Sequence, residues 1–208
     1  MIPNSLKDKF TFALFLVFFL LFSPASQAKH IVIFGDSLSA AYGMELEQGW
    51  AHLLAEDIKD AHTVTNASIS GETSNGGLAR LPVTLDELKP DIILIELGAN
   101  DGLQGLPIDV MRENLDAMIS IAKARELQVV LAGISLPASY GPRYIDKFRS
   151  TFKELSELHQ LPFIDFYREE FFTEPDFIQE DGLHPTEKTQ PLVKDIILKF
   201  LNDNNLLD

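Results

Sequence analysis

The chain has 208 residues, with 17 basic and 31 acidic side chains, a formal net charge of −14 and no cysteine. This acidity repels phosphate backbones and anionic membrane surfaces, and it argues against binding to nucleic acid. The lack of cysteine excludes a disulfide framework. The length predicts one domain that is large enough to bury a hydrophobic core.

The first 28 residues have the pattern of a secretory signal peptide (1–28). After a weakly basic start, an almost wholly apolar run of 13 residues extends from Phe10 to Phe22, and small residues follow at Ser26 and Ala28. A membrane anchor is the alternative, but a spanning helix needs roughly 20 apolar residues. We therefore expect cleavage after Ala28, a mature domain over 29–208 in the periplasm or secreted medium, and no stable membrane insertion after cleavage.

Short apolar runs then alternate with longer amphipathic segments. Runs rich in β-branched residues predict strands buried on both faces, at 30–34, 62–67, 91–97, 128–134 and 161–166. Helical periodicity predicts helices over 48–60, 75–89, 108–126, 142–159 and 188–203. Because strands and helices alternate, the sequence predicts an α/β fold with a parallel sheet covered by helices on both faces.

Polar residues follow several of the predicted strands. Open parallel sheets bind ligands at the carboxyl ends of their strands, near the point where the strand order reverses. The first strand ends in Gly35-Asp36-Ser37, the second is followed by Gly71, and the third runs into Asn100. A loop after the fifth strand carries Asp181 and His184. In a flavodoxin-like strand order the first three of these loops are neighbours, so the sequence places the candidate residues at one edge of the sheet.

Ser37 has two interpretations. Serine is a favoured N-cap, so Ser37 can simply cap the next helix. As a nucleophile it needs a base that takes its proton and is held in the right tautomer. Of the five histidines, His184 is the one in a late loop at this edge, ahead of Pro185, which disfavours a helical backbone. Asp181, three residues earlier, can reach Nδ1 and leave Nε2 facing Ser37, although an isolated Asp-x-x-His is also common in surface turns.

Acyl transfer also needs hydrogen-bond donors for the oxyanion that develops in the transition state. The candidates are the backbone N–H of Ser37, the backbone N–H of Gly71 and the side-chain amide of Asn100. Gly71 can equally serve a turn that needs positive φ, and Asn100 an Asn-Asp-Gly turn without chemistry. We favour the catalytic interpretation because these groups share one predicted sheet edge with Asp181 and His184.

Four blocks, "FGDSLS", "NASISGETS", "LGANDG" and "DGLHP", resemble those of the SGNH (GDSL-type) hydrolases in order and spacing. The resemblance covers essentially all of 29–208. It is greatest to the bacterial periplasmic thioesterase I, arylesterase and lysophospholipase type, notably at 66–82, 136–144 and 179–185. A minor departure is Ala99, where close relatives often carry glycine. The chain also lacks the Gly-x-Ser-x-Gly elbow of the common α/β-hydrolase fold around its candidate nucleophile.

The resemblance implies a three-layer α/β/α sandwich with a five-stranded parallel, flavodoxin-like sheet. It implies Ser37 as nucleophile, His184 as general base and Asp181 as the group that orients His184. The N–H groups of Ser37 and Gly71 and the side chain of Asn100 would form the oxyanion hole. We expect a serine esterase and thioesterase with arylesterase, lysophospholipase and acyl-CoA thioesterase activities, working through an acyl-enzyme on Ser37.

No metal or cofactor is expected, and we interpret the acidic segment 169–181 as a solvated loop rather than a metal site. Four apolar residues near the strand ends are candidates for an acyl groove, although ordinary packing beneath loops would also place apolar residues there: Leu103, Leu106, Leu136 and Tyr140. The expected partner is a small-molecule or lipid acyl ester, and the expected oligomeric state is a monomer.

Because an exported enzyme meets little cytosolic acyl-CoA, lysophospholipids or exogenous esters are the expected natural substrates. Two rival functions stay open at this point. One is a carbohydrate or peptidoglycan O-acetylesterase on the same fold, and the other is a secreted binding protein without catalysis.

Overall fold

The computed structural model describes residues 27–167, 174 and 176–208, so the predicted signal peptide lies outside it except for two residues. The strands are His30–Gly35 (β1), Thr63–Asn66 (β2), Ile92–Glu96 (β3), Gln128–Ile134 (β4) and Phe163–Tyr167 (β5). The helices are Trp50–Ile58 (α1), Ser74–Leu88 (α2), Ala99–Leu103 (α3), Ile108–Ala124 (α4), Pro142–His159 (α5) and Gln190–Asp203 (α6). Single 3₁₀ turns cover Leu46–Gln48 and Ala138–Tyr140. None of the helices in these residues is long and apolar enough to cross a membrane.

Every strand and helix predicted from the sequence is present, with ends that differ by at most a few residues. The prediction missed α3, which occupies part of the segment around Asn100 that was expected to be a loop. Five residues are too few to show a hydrophobic period. The helix also depends on Gly98 before it, whose φ of 122° is accessible to glycine.

All strand pairs are parallel, and the strand order is β2-β1-β3-β4-β5. The chain runs outward from β1 to β2 through α1, and then in the opposite direction through α2, α4 and α5. Because such crossovers are right-handed, α1 lies on one face of the sheet and the other three helices lie on the opposite face. Since α6 packs against α1, the sheet lies between two helical layers, which confirms the predicted α/β/α sandwich.

The core is centred on β1 and β3, the two strands that flank the point where the strand order reverses. All residues of β3 are buried, as are all residues of β1 after the first. Helix α2 comes close to these strands at Gly77, where a Cβ would lie 2.3 Å from Leu97 Cδ1 and 3.3 Å from the Phe34 ring. Glycine at this position therefore allows the helix to lie directly against the strands that lead into the candidate site.

Replacing Gly77 with alanine is expected to destabilise the protein by about 1–3 kcal/mol through overpacking. In a helix without tertiary contacts, alanine in place of glycine would instead stabilise the helix by about 1 kcal/mol. A measured decrease in stability would therefore report the close contact between the helix and the sheet. Gly76→Ala in the same helix is the control, because its Cβ would meet only the Glu72 side chain, at 3.3 Å. Urea unfolding measures both variants, and equal stabilities for the two would contradict this packing.

Glu96 is the one charged residue in the apolar β3 strand, and it is fully buried. Its Oε2 accepts hydrogen bonds from the Ser39 hydroxyl at 2.7 Å and from the Asp36 backbone N–H at 3.3 Å. Its Oε1 has no partner among the described residues. Burial, and secondly the nearby Asp36 carboxylate, raise the pKa of Glu96 well above its ordinary value. The fold therefore favours a neutral carboxylic acid beneath the end of β1.

This raised pKa predicts a pH-dependent stability. The folded protein holds the Glu96 proton more tightly than the unfolded chain does. The contribution of this proton to the stability of the folded state is therefore complete below the unfolded-state pKa of about 4.5. It is lost as the pH rises through the folded-state pKa. Glu96→Gln removes this titration, so the free energy of unfolding of the variant relative to wild type should increase as the pH rises from about 4.5 towards the alkaline range.

Unfolding by urea across that pH range measures the effect. Glu113→Gln, at an exposed position on α4, is the matched control for the exchange of a carboxyl group for an amide. A stability difference between Glu96→Gln and wild type that does not change with pH would mean that Glu96 does not titrate with a raised pKa in the folded protein.

Candidate active site

Ser37 lies two residues after the end of β1, in a turn rather than at a helix start. The Leu38 N–H donates to Asp36 Oδ1 at 3.0 Å, and the Ala40 N–H donates to the Asp36 carbonyl at 3.0 Å. The Asp36 side chain thus makes the local bond that a capping residue would make. The alternative in which Ser37 caps the next helix does not match this arrangement, and the Ser37 hydroxyl contacts His184 instead.

Ser37, His184 and Asp181 form a hydrogen-bonded row. Ser37 Oγ lies 2.8 Å from His184 Nε2, and His184 Nδ1 lies 2.6 Å from Asp181 Oδ2. Burial alone would raise the pKa of Asp181, but hydrogen bonds from His184 and Leu183 outweigh it, so the pKa is lowered. An ionised carboxylate at Nδ1 favours the proton on that nitrogen and leaves Nε2 free to accept the serine proton.

A second set of contacts holds the histidine loop against the Ser37 turn. Ile178 and Pro185 form an isolated antiparallel bridge that closes the loop. Between them, the Gln179 backbone N–H donates to the His184 carbonyl at 2.8 Å. Gln179 Nε2 donates to the carbonyls of Tyr42, at 2.9 Å, and of Pro185, at 3.0 Å. One glutamine therefore joins the loop that carries the base to the turn that carries the serine.

The predicted oxyanion donors differ in whether they already have a hydrogen-bond acceptor within the described residues. Within the described part of the chain, the backbone N–H groups of Ser37 and Gly71 donate no hydrogen bond. Gly71 has a φ of 80°, as the turn interpretation required, and no atom lies within 4 Å of the position that a Cβ would take. Both residues line the same cavity, so both N–H groups are available to an oxygen atom bound there.

Asn100 also lines this cavity, but its amide already has partners. Its Nδ2 donates to Asp36 Oδ2 and to the Glu72 carbonyl, each at 3.0 Å. Burial raises the pKa of Asp36 to about 7, against the lowering effect of the hydrogen bonds from Leu38 and Asn100. Donation to a substrate oxygen would require Asn100 to share or break one of its two bonds.

Two contacts, one buried and one partly buried, fix the loops that present Gly71 and Asn100. Asp101, in α3, accepts hydrogen bonds from the Ser74 backbone N–H at 2.7 Å and from the Ser74 hydroxyl at 2.6 Å, and so ties α3 to the start of α2. Arg80 Nε donates to both carboxylate oxygens of Glu72 at 2.8 Å. The Arg80 guanidinium carbon lies 3.8 Å from the centroid of the Phe34 ring, a cation–π contact with β1.

The cavity at the serine has a volume of about 190 Å³ and is largely apolar. Of the four apolar residues predicted for an acyl groove, Leu103 and Leu136 line it. Leu106 and Tyr140 do not; they are 39% and 38% exposed, and the Tyr140 hydroxyl donates to the Leu103 carbonyl at 3.0 Å. The prediction missed several lining residues that follow no periodic pattern: Leu38, Tyr42, Ile134, Ser135, Pro137 and Leu183.

Among the described residues, no group of three or more His, Cys, Asp or Glu side chains could hold a metal ion. The acidic segment 169–181 lies partly outside those residues, because 169–173 and 175 are not described.

Comparison with known proteins finds similarity over most of the chain. A model of the GDSL-like lipase/acylhydrolase family matches residues 33–190. An arylesterase of Vibrio mimicus is 43% identical over 190 residues, which cover 89% of this chain and 95% of the relative. Thioesterase 1/protease 1/lysophospholipase L1 of Escherichia coli strain K12 is 39% identical over 187 residues, or 90% of each chain.

The fold is shared with solved structures as well. The psychrotrophic esterase EstA from Pseudoalteromonas sp., in a structure inhibited by monoethylphosphonate, superposes with a TM-score of 0.80 and 40% identity. That comparison covers 84% of this chain and 97% of the esterase. Sequence similarity along the chain and a shared fold therefore agree with the four sequence blocks, and the chain belongs to the GDSL-like lipase/acylhydrolase family, the SGNH hydrolases.

Proposed function

We propose that this SGNH hydrolase is a serine esterase and thioesterase whose nucleophile is Ser37. The observation that carries the proposal is the 2.8 Å contact between Ser37 Oγ and His184 Nε2, with Asp181 on the other ring nitrogen. Relatives named arylesterase, thioesterase 1/protease 1/lysophospholipase L1 and esterase TesA support hydrolysis of acyl esters and thioesters.

The reaction proceeds in two steps. His184 Nε2 takes the Ser37 proton while Oγ attacks the carbonyl carbon, and Asp181 stabilises the imidazolium that forms. The imidazolium then gives its proton to the leaving alcohol or thiol as the bond to the carbonyl carbon breaks. In the second step His184 Nε2 takes a proton from water as the water oxygen attacks the acyl carbonyl carbon. It then returns that proton to Ser37 Oγ as the acyl–Oγ bond breaks, which releases the carboxylic acid and free Ser37.

The free backbone N–H groups of Ser37 and Gly71 are the first donors to the developing oxyanion. We assign Asn100 as a third donor that changes partner during the reaction. An oxyanion is a stronger acceptor than a neutral carbonyl, so it can take the Asn100 hydrogen that the Glu72 carbonyl holds in the free enzyme. The bond to Asp36 then keeps the amide in place.

The cavity accommodates the start of the acyl chain. Its volume of about 190 Å³ is below the roughly 300–1,000 Å³ that is usual for small-molecule sites. Leu103 and Leu136 would contact the part of the chain next to the carbonyl. Longer chains would extend past Leu106 and Tyr140, which lie exposed on the loops after β3 and β4. The leaving group stays outside the cavity, which allows both alcohols and thiols.

We also propose that residues 1–28 are a signal peptide and that 29–208 act in the periplasm or outside the cell as a monomer. The support is the apolar run of 13 residues with small residues at Ser26 and Ala28. In such a compartment the substrates would be lysophospholipids or other lipid and small-molecule esters rather than cytosolic acyl-CoA.

Hydrolysis of p-nitrophenyl esters from acetyl to palmitoyl by residues 29–208 tests this function. We expect wild type to act beyond short acyl groups and Ser37→Ala to lose at least about a thousandfold in kcat, because no other group supplies the nucleophile. Ser120→Ala, at an exposed position on α4, is the matched control and should retain wild-type rates.

The other outcomes are equally informative. Hydrolysis of p-nitrophenyl acetate alone would favour a carbohydrate or peptidoglycan O-acetylesterase. An acetyl group would also fit the small cavity. Wild-type rates in Ser37→Ala would exclude Ser37 as nucleophile, and no hydrolysis by either protein would favour a binding function.

A further inference from the structure

The aromatic ring of Tyr42 lies against the imidazole of His184. The two ring centroids are 4.2 Å apart and the ring planes are tilted by 31°. Tyr42 belongs to the same turn as Ser37, lines the cavity and is 47% exposed, so it is not part of the hydrophobic core. It has no assigned part in the reaction steps above.

The backbone on both sides of this ring pair is fixed by Gln179. Its Nε2 donates to the Tyr42 carbonyl at 2.9 Å, and its backbone N–H donates to the His184 carbonyl at 2.8 Å. Gly43 follows Tyr42 with a φ of 77°, and a Cβ there would lie 2.6 Å from Gln179 Oε1. The local sequence is therefore built to keep the phenol ring next to the imidazole.

We propose that Tyr42 is a positioning residue for His184. The aromatic face of Tyr42 stabilises the imidazolium that forms when His184 takes the Ser37 proton. The inference rests on the proposed function, since it needs His184 to act as the base. The face of an aromatic ring carries negative electrostatic potential. It therefore attracts the positively charged imidazolium more strongly than it attracts the neutral imidazole. The contact therefore strengthens as the transition state develops, and only such an increase accelerates the chemical step.

The effect of Tyr42 on the imidazole can be separated from the effects of the other groups around it. Asp181 is the charged group in contact with the ring, and Ser37 is its uncharged partner on the other nitrogen. Across the cavity, Asn100 presents an uncharged side chain. Asp36 is buried beneath the turn, where it is bonded to Asn100. Substitution of Tyr42 leaves all of these in place, so a change in the protonation of His184 would report the loss of the ring.

The test is the pH dependence of kcat/KM on a soluble p-nitrophenyl ester for wild type, Tyr42→Leu and Tyr42→Phe. For Tyr42→Leu we expect kcat/KM to fall about 3- to 10-fold, and the midpoint of the acid limb to move to lower pH by about half a unit to one unit. Both follow because the imidazolium loses a stabilising contact that neutral imidazole does not have. Tyr42→Phe keeps the ring and should keep both values.

Two results would overturn the inference. One is a Tyr42→Leu profile with a lower rate but an unchanged acid-limb midpoint, which would leave Tyr42 a packing role. The other is an equal shift in Tyr42→Phe, which would assign the effect to the hydroxyl group. Tyr42→Met provides a second non-aromatic side chain if Tyr42→Leu does not fold.

The Ser37→Ala variant separates this inference from the proposed function. Activity in Ser37→Ala would overturn the proposed function itself. An inactive Ser37→Ala together with an unshifted Tyr42→Leu profile would overturn only the role of Tyr42.

Discussion

The 2.8 Å contact between Ser37 Oγ and His184 Nε2 joins residues that are 147 positions apart in the sequence, and the rest of the site is arranged around it. A serine hydroxyl gains nucleophilic character only while a base stays at this distance. From one side, β1 delivers Ser37 to the centre of the sheet, and the Trp50 indole N–H holds its turn by donating to the Leu38 carbonyl at 3.1 Å. From the other side, Gln179 ties the histidine loop to the same turn.

The same edge of the sheet concentrates buried acidic groups. Glu96, Asp36 and Asp101 are all almost completely inaccessible to solvent. Burying carboxyl groups costs stability unless they are protonated or hydrogen-bonded. Here they accept hydrogen bonds from Ser39, Asn100 and the start of α2. These bonds connect the loops that follow β1, β2 and β3, while the backbone N–H groups of Ser37 and Gly71 donate no hydrogen bond among the described residues. Burial of these carboxyl groups thus lowers the stability of the protein, and their hydrogen bonds orient the loops that carry the oxyanion donors.

Sequence reasoning was sufficient wherever the relevant signal is local. Strands buried on both faces appear as continuous apolar runs, and the Asp181–His184 spacing anticipated the observed contact. It was insufficient where a contact depends on the course of a loop, which no pattern in the sequence specifies. Leu106 and Tyr140 are not among the residues that line the cavity, and both are partly exposed. The contact between the rings of Tyr42 and His184 could not be predicted, because nothing in the sequence indicates which side chain of the Ser37 turn lies against the imidazole.

Covalent labelling of Ser37 tests the central claim most directly. A p-nitrophenyl phosphonate ester should react once per folded chain, as Oγ attacks phosphorus and p-nitrophenolate leaves. Intact-mass analysis followed by peptide mapping would then locate the phosphonyl group. The proposed mechanism predicts a single adduct on Ser37 and none in the urea-unfolded chain. An adduct on another residue, or equal labelling of folded and unfolded protein, would contradict the activation of Ser37 by His184.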